Sequence, residues 1–136
     1  MAYVWNPDLE TGSVVIDNQH KQLIAAVNAL FDAQQSGKGR QEVEKTMEFL
    51  VGYTVKHFAD EEKLQEKHNY PEYLIHKQTH IDFKRVALEL AKELSQNGPT
   101  DAFISKAYVT IGDWLVNHIK GDDFKMAAYV RSKEQA

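Results

Sequence analysis

The sequence predicts an all-α fold: an antiparallel up-down-up-down four-helix bundle with an N-terminal arm and a short C-terminal tail. Prolines and glycines are few and grouped, so they divide the chain into four long uninterrupted segments. Each segment carries inward-facing positions at alternating steps of three and four, the spacing of a helix packed nearly parallel or antiparallel to its neighbours. Short connections favour the up-down-up-down order, and no strand-like alternation of useful length is present.

The first two predicted helices, segments A and B, span about residues 17–36 and 40–67. Asp17 is placed to cap the start of segment A, and the stretch Gly37-Lys38-Gly39 separates the two segments. The inward-facing seam of segment A consists of Ile16, His20, Leu23, Val27 and Leu30. The seam of segment B consists of Val43, Met47, Leu50, Thr54, His57, Glu61 and Leu64.

The third predicted helix, segment C, starts at about Pro71, a favourable first-turn residue, and ends before Asn97-Gly98. Segment D starts near Thr100 and reaches at least His118, and the tail from 122 to 133 is a shorter candidate helix. The seam of segment C consists of His76, His80, Phe83, Ala87, Leu90 and Leu94. The seam of segment D consists of Ile104, Tyr108, Ile111, Leu115, His118 and Asp122.

Composition restricts the possible classes of protein. The 136 residues suit one domain, taken as 1–136, and the net charge of −4 gives no reason to expect nucleic acid or an anionic membrane as a partner. The absence of cysteine excludes disulfides and thiolate metal sites. There is no signal-peptide pattern and no run of about 18 apolar residues, so we expect a cytoplasmic protein without membrane insertion. An excised domain of a larger receptor would have the same composition.

Five of the six histidines lie on the seams. In an antiparallel bundle the start of A, the end of B, the start of C and the end of D share one end, within about three helical turns. Burying five imidazoles and a carboxylate without strong partners would cost several kcal/mol, which metal coordination would offset. The sequence therefore predicts a metal site there, built from His20, His57, Glu61, His76, His80 and His118. The remaining histidine, His68, is expected to be exposed in the turn that ends segment B.

The number of candidate ligands predicts two metal ions. Imidazole with carboxylate suits iron, zinc, copper or nickel, and five imidazoles exceed what one ion takes. Two octahedral ions with two bridging carboxylates and a bridging oxide or hydroxide would keep one position open. A second carboxylate is required, and the nearby candidates on segment D are Asp122 and Asp123. In a straight helix Asp122 lies about 40° from His118 and Asp123 about 140° from it, which favours Asp122.

Four stretches resemble the signature of the hemerythrin family: IDNQHK (16–21), HFADEE (57–62), YPEYLIHKQTH (70–80) and WLVNHIKGDD (114–123). Their order, one histidine followed by His-x-x-x-Glu, His-x-x-x-His and His-x-x-x-x-Asp, spans nearly the whole chain. The bacteriohemerythrins, single-chain bacterial members, are the most similar. The resemblance implies a non-heme centre of two iron ions bridged by oxide or hydroxide. Such a centre binds O2 reversibly for carriage, storage or delivery and is not an enzyme.

The resemblance also implies a role for each ligand. The histidines of segments C and D would hold one iron, those of A and B would hold the other, and two carboxylates would bridge them. The seven implied ligands are His20, His57, Glu61, His76, His80, His118 and Asp123. The family spacing thus selects Asp123 over Asp122, which requires the helix to loosen after His118. Gly121 is the residue expected to permit that.

The iron with two histidines would have the open position, and five apolar residues are expected to wall it. They are Leu23, Ile24, Phe58, Trp114 and Leu115, which also belong to the predicted core. Gln19 and Asn28 are candidates to hydrogen-bond a ligand imidazole. Asp60 and Glu62 point about 100° away from Glu61 and are expected in solvent.

Other functions remain open for the same fold. The same centre could serve an O2, redox or nitric oxide sensor that signals to a partner, or a di-iron peroxidase or oxidase. A metal-free helical interaction module is a further alternative. The expected partners are O2 itself and an O2-consuming enzyme or a signalling protein.

Overall fold

The computed structural model describes residues 3–35 and 40–134. A 3-10 turn, Pro7–Leu9, precedes five helices, and within the described residues there is no strand. The elements are α1 (Val14–Gln35), α2 (Arg40–Lys67), α3 (Tyr73–Asn97), α4 (Asp101–His118), a π-helical turn (Ile119–Asp123) and α5 (Phe124–Glu134). The predicted link Gly37-Lys38-Gly39 lies outside the described residues.

The four long helices close into a ring. Helix α1 packs against α2 and α4, and α3 packs against α2 and α4. This arrangement confirms the predicted four-helix bundle. Helix α5, the predicted tail helix, packs against the π-helical turn and α2 and so covers one end of the bundle. No helix in the described ranges is both long enough and apolar enough to cross a membrane.

Helix α1 begins three residues earlier than predicted. Ser13 occupies the capping position: its Oγ accepts from the Ile16 N–H at 3.4 Å, and its carbonyl accepts from the Asp17 N–H at 2.8 Å. The Asp17 carboxylate instead accepts from the Thr11 N–H and hydroxyl at 2.9 and 2.7 Å. The predicted cap was therefore wrong, because serine caps as well as aspartate and the carboxylate stabilises the preceding loop.

The other helix ends follow local signals. Asn69 has a left-handed φ of 53°, and the Tyr70 N–H donates to the Gln65 carbonyl at 2.9 Å, a Schellman-type end for α2. Gly98 ends α3 with φ 78° and donates to the Leu94 carbonyl. Thr100 caps α4, because its hydroxyl accepts from the Phe103 N–H at 3.0 Å. The predicted boundaries hold to within about two residues, the usual uncertainty of helix ends.

The seams form the core with two exceptions. Leu64 is only partly buried, and Asp122 is partly exposed. A small second cluster lies beneath α5, where Ile16, Tyr70, Met126 and Val130 are buried together and Leu64 packs at their edge. The tail helix therefore closes the histidine end of the bundle with apolar contacts of its own.

The N-terminal arm is tied to the bundle by Tyr3 and Asn28. The Tyr3 N–H donates to Asn28 Oδ1 at 2.9 Å, and Asn28 Nδ2 donates to the Tyr3 carbonyl at 2.7 Å. The Tyr3 ring lies against Gly112, where a Cβ would overlap it. Asn28 therefore holds the arm and is not the imidazole partner that it was a candidate to be.

Candidate metal centre

All seven predicted ligand side chains meet at one end of the bundle. Helix α1 contributes one, α2 two, α3 two, α4 one and the π-helical turn one, and each is at most 6% exposed. They are His20, His57, Glu61, His76, His80, His118 and Asp123. The periodic spacing of the four segments therefore converges in space on one buried cluster.

The π-helical turn settles which aspartate joins the cluster. The Phe124 N–H donates to the Ile119 carbonyl five residues earlier, so residues five apart return to the same face. Asp123 Oδ1 consequently lies 3.2 Å from His118 Nε2, and Asp123 is fully buried. The predicted loosening after His118 is confirmed, and Asp122 points outward with its side chain 44% exposed.

Gly121 is not required for this turn. Its φ is not in the left-handed region, and a Cβ added there would meet nothing within 4 Å. The prediction that glycine permits the path was therefore wrong. A π-helical turn keeps right-handed backbone angles, so an L-residue could occupy the position without strain.

The cluster divides into two overlapping groups that share Glu61 and Asp123. The three-histidine group adds His76, His80 and His118, and the two-histidine group adds His20 and His57; within each group the candidate ligand atoms lie within 4.8 Å of one another. In the three-histidine group the Nε2 atom of His118 is 3.0 Å from that of His76 and 3.3 Å from that of His80. Neighbouring ligand atoms on one ion with bonds of about 2.1 Å lie about 3.0 to 3.4 Å apart, so the spacing fits shared coordination.

Several buried polar atoms of the cluster have no hydrogen-bond partner. Both oxygens of Glu61, both oxygens of Asp123 and both nitrogens of His20 are buried without a hydrogen bond. His20 Nε2 approaches Asp123 Oδ2 to 2.9 Å, yet the contact lacks hydrogen-bond geometry. Buried polar atoms are almost always satisfied in native proteins. A pair of cations would satisfy these atoms together, so the residues present fit such a pair.

The two carboxylates differ in charge when no cation is present. Burial raises the pKa of Glu61 well above its usual range, and the neighbouring Asp123 raises it further. Burial alone would also raise the pKa of Asp123, but the surrounding imidazoles, chiefly His118, lower it well below its usual range. Two adjacent carboxylates cannot both ionise easily, and a bound cation would favour the ionised form of both.

The histidines are held in the form that binds metals. Burial lowers the pKa of His57 to about 3, and the neighbouring His20 is the second cause. Burial lowers the pKa of His80 to about 2, with His76 as the second cause. Both rings are therefore neutral near pH 7, which is the protonation state that a metal ligand requires.

Two histidines of the cluster contact carboxylates through their outer nitrogens, Nδ1. His80 Nδ1 lies 3.0 Å from Glu62 Oε2, and His118 Nδ1 lies 3.1 Å from Asp122 Oδ2. The expectation that Glu62 is simply solvated was wrong, because the turn of the helix after Glu61 directs it towards α3. The sequence signal was available: an acid next to one ligand, on the side of the neighbouring helix.

Two further histidines contact amides. Gln19 Oε1 lies 2.6 Å from His57 Nδ1, and Gln19 Nε2 donates to Asp60 Oδ2 at 2.8 Å. Gln19 was a predicted candidate, whereas Asp60 was expected in solvent. His76 Nδ1 contacts the amide of Gln65, a residue to which sequence reasoning gave no role. Its spacing of four after Glu61 on α2 is the signal that would have found it.

The Gln65 amide is placed with Nε2 at 2.8 Å from His76 Nδ1, while its Oε1 is buried without a partner. Exchanging the two amide atoms lets Oε1 accept the His76 N–H and leaves Nε2 of that ring free for a metal. The exchanged orientation is the one consistent with ligation through His76 Nε2.

The residues predicted to wall the open position fall into two sets. The Phe58 ring stacks on His80 with centroids 3.8 Å apart, and the Trp114 ring stacks on His118 at 4.3 Å, so both contact the three-histidine group. The aliphatic set, Leu23, Ile24 and Leu115, is buried in the main apolar cluster.

His68 belongs to neither group, as its position in the sequence predicted. It is not an exposed turn residue, however. Its side chain is only 13% exposed, and its Nε2 atom lies 3.5 Å from Glu134 Oε1. Helix α5 covers this histidine, and the sequence did not reveal the position of that helix.

A four-helix bundle with a buried cluster of five histidines and two carboxylates defines a helical protein able to hold metal ions. The family model described as the hemerythrin HHE cation binding domain matches residues 11–130. The chain therefore belongs to the hemerythrin family.

Individual relatives agree with this assignment. A protein named bacteriohemerythrin from Pseudomonas paraeruginosa is 42% identical over 127 residues, covering 93% of this chain and 78% of its own length. A myohemerythrin from Sipunculus nudus is 32% identical over 123 residues, covering 90% of this chain and 89% of its own. A crystal structure of wild-type hemerythrin superposes with a TM-score of 0.85 at 28% identity, covering 96% of this chain and 98% of that one.

Proposed function

We propose that the protein is one hemerythrin-like domain, 1–136, that binds O2 reversibly at a non-heme di-iron centre for carriage, storage or delivery. It does not catalyse a net reaction. The observation that carries the proposal is the pair of overlapping ligand groups that share Glu61 and Asp123. Two carboxylates in that position can bridge two ions and hold them close enough to act together.

In this proposal each ligand has one task. The histidines of the three-histidine group would hold one iron and those of the two-histidine group the other, with Glu61 and Asp123 as bridges. Held by these residues, a pair of ferrous ions would supply the reversible redox chemistry that O2 binding needs. The second ion would have fewer protein ligands, which would keep a position open for O2.

The surroundings of the centre favour binding over turnover. Phe58 and Trp114 place aromatic rings on two ligand histidines, and apolar side chains occupy the adjoining core. Leu23, Ile24 and Leu115 would exclude water from the open position together with these rings. The two carboxylates inside the cluster would both serve as bridges, so neither would act as a proton donor. A dry site without a free acid slows loss of the bound ligand as peroxide.

The purified protein tests this proposal directly. It should contain about two iron ions per chain, in line with the two ligand groups. Its visible charge-transfer bands should disappear under argon and return in air over repeated cycles. Bands that never reverse would overturn reversible binding. Turnover of hydrogen peroxide or nitric oxide well above that of free iron would overturn the non-enzymatic assignment.

Leu115→Ala tests the pocket separately. Removing a 5% exposed side chain beside the centre should admit water, so autoxidation should accelerate and azide binding should change. Leu30→Ala is the matched control, because Leu30 is fully buried at the other end of the bundle. Equal autoxidation rates in the two variants would remove Leu115 from the pocket.

A further inference from the structure

Two of the three outer nitrogens of the three-histidine group lie against carboxylates, and the third, Nδ1 of His76, contacts the Gln65 amide. Glu62 Oε2 lies 3.0 Å from His80 Nδ1, and Asp122 Oδ2 lies 3.1 Å from His118 Nδ1. Glu62 belongs to α2 and His80 to α3, so the first contact connects two helices of the bundle. Asp122 belongs to the π-helical turn, four residues after His118.

The two-histidine group has no such charged contact within the described residues. His57 Nδ1 meets the Gln19 amide oxygen at 2.6 Å, and only the far side of that amide reaches a carboxylate, Asp60. His20 Nδ1 is buried and has no hydrogen-bond partner. The two groups therefore share their bridging carboxylates but differ in the support of their histidines.

This difference has a chemical consequence. A carboxylate that accepts the outer N–H of an imidazole draws the proton away, orients the ring and makes the inner nitrogen a stronger donor to a metal. An amide oxygen fixes orientation but carries no charge and polarises the ring less. Replacing such an outer partner typically weakens metal affinity by about 10- to 100-fold.

Glu62 and Asp122 are not equivalent supports. The Glu62 side chain is 15% exposed, whereas that of Asp122 is 44% exposed and its charge is more strongly screened. Glu62 should therefore contribute more than Asp122 to metal binding.

We propose that the two halves of the centre bind metal with unequal affinity and that Glu62, assisted by Asp122, is the positioning residue that produces the difference. The three-histidine group fills first, and the two-histidine group receives the second ion more weakly. The inference rests on the proposed two-ion centre but not on O2 binding. Any divalent ion that accepts imidazole and carboxylate can therefore test it.

The experiment titrates the full chain, freed of metal by chelation, with Zn²⁺ against a competing chromophoric chelator. Parallel titration with Co²⁺ follows the visible bands of each filled half. For the unmodified protein we expect two binding steps separated by at least about 10-fold in affinity.

Glu62→Gln keeps the shape of the side chain and removes the charge. It should lower the metal affinity of the first binding step by about 10- to 100-fold and leave the affinity of the second within about 3-fold. Asp122→Asn should lower the affinity of the first step by a smaller factor. Glu66→Gln is the matched control: it removes the same charge one turn further along α2, where Glu66 accepts from the Tyr73 hydroxyl and contacts no histidine. It should leave both steps unchanged.

A second variant, which strengthens the two-histidine group, keeps the proposal testable if Glu62→Gln does not fold. The double substitution Gln19→Glu with Asp60→Asn moves the carboxylate next to His57 without changing the net charge, and the new amide can donate to it. The second step should tighten by about 10-fold while the first stays constant, so the two steps approach each other.

Three results would overturn the proposal: a single unresolved step in the unmodified protein, an equal effect of Glu62→Gln and Glu66→Gln, or a double substitution that does not alter the second step. Failure of the proposed function looks different. A protein that shows the two predicted steps yet never binds O2 reversibly keeps this inference and loses the other.

Discussion

The two ends of the bundle bury different kinds of side chain. At the end away from the centre, the facing helices contribute apolar side chains that are at most 5% exposed: Leu30, Met47, Leu94 and Phe103. At the histidine end the same four helices and the π-helical turn bury five imidazoles and two carboxylates, several atoms of which have no hydrogen bond. The apolar end stabilises the fold, since burial of such side chains away from water is favourable. The histidine end buries polar atoms at a cost that a bound ion would offset.

The largest expected effect comes from the bridging position. Asp123→Ala removes a carboxylate that both ligand groups share, so the purified protein should lose more than about half of its iron. Elemental analysis of the iron content per chain measures this. Asp122→Ala is the neighbouring comparison: it removes one outer contact of His118 but no shared carboxylate, so it should keep most of its iron at purification. Iron loss in Asp122→Ala and retention in Asp123→Ala would reverse the roles of the two aspartates.

A cavity at the apolar end should lower stability without lowering the iron content. Leu30→Ala empties a fully buried site and should lower the free energy of unfolding by about 2–5 kcal/mol. The iron content of the folded protein should stay at the unmodified value. Denaturant titration with elemental analysis checks both results. A cavity that released iron would show that the two ends are not independent.

Metal removal should reveal a pH dependence that originates at the histidine end. His57 and His80 have folded-state pKa values near 3 and 2, so between pH 6.5 and 4.5 the unfolded chain binds a proton at each that the folded chain does not. Each should therefore lower stability by about 1.4 kcal/mol per pH unit on acidification. Glu61, whose folded-state pKa is raised by burial, acts in the opposite sense and offsets part of this loss.

For the metal-free protein we expect the histidines to dominate, so the free energy of unfolding should fall from pH 6.5 to 4.5, measured by urea unfolding. Glu61→Gln removes the opposing group and should make this fall steeper. Stability that rises on acidification would contradict the assignment of neutral buried imidazoles.

The smallest expected effect tests the local chemistry of the apolar end. Thr100→Ala removes the hydroxyl that accepts from the Phe103 N–H and should cost about 1 kcal/mol of stability. Thr100→Ser keeps the acceptor and should restore most of the loss. Thermal unfolding measures both variants. Metal content should be the same in each.

Much of the fold was predictable because its determinants are local. Every seam position that the steps of three and four identified is buried, except Leu64 and Asp122. The end of α2 near Asn69 and that of α3 at Gly98 followed from turn chemistry. The prediction that Asp17 caps α1 was wrong, since Ser13, four residues earlier, offers the same kind of acceptor. Boundaries are the least certain part of any such prediction, because several polar residues near a helix start can cap it.

The sequence by itself determined the four helices and six of the seven residues at one end of the bundle, because helical periodicity fixes which side chains share a face. The seventh, Asp123, followed only from the resemblance to the hemerythrin family. Tertiary structure decided the rest. The π-helical turn turns Asp123 inward against the straight-helix expectation and leaves Asp122 to hold the outer nitrogen of His118. Glu62 and Gln65 hold histidines of the neighbouring helix. Contacts between helices depend on their rotation and relative height, and no local pattern encodes either quantity.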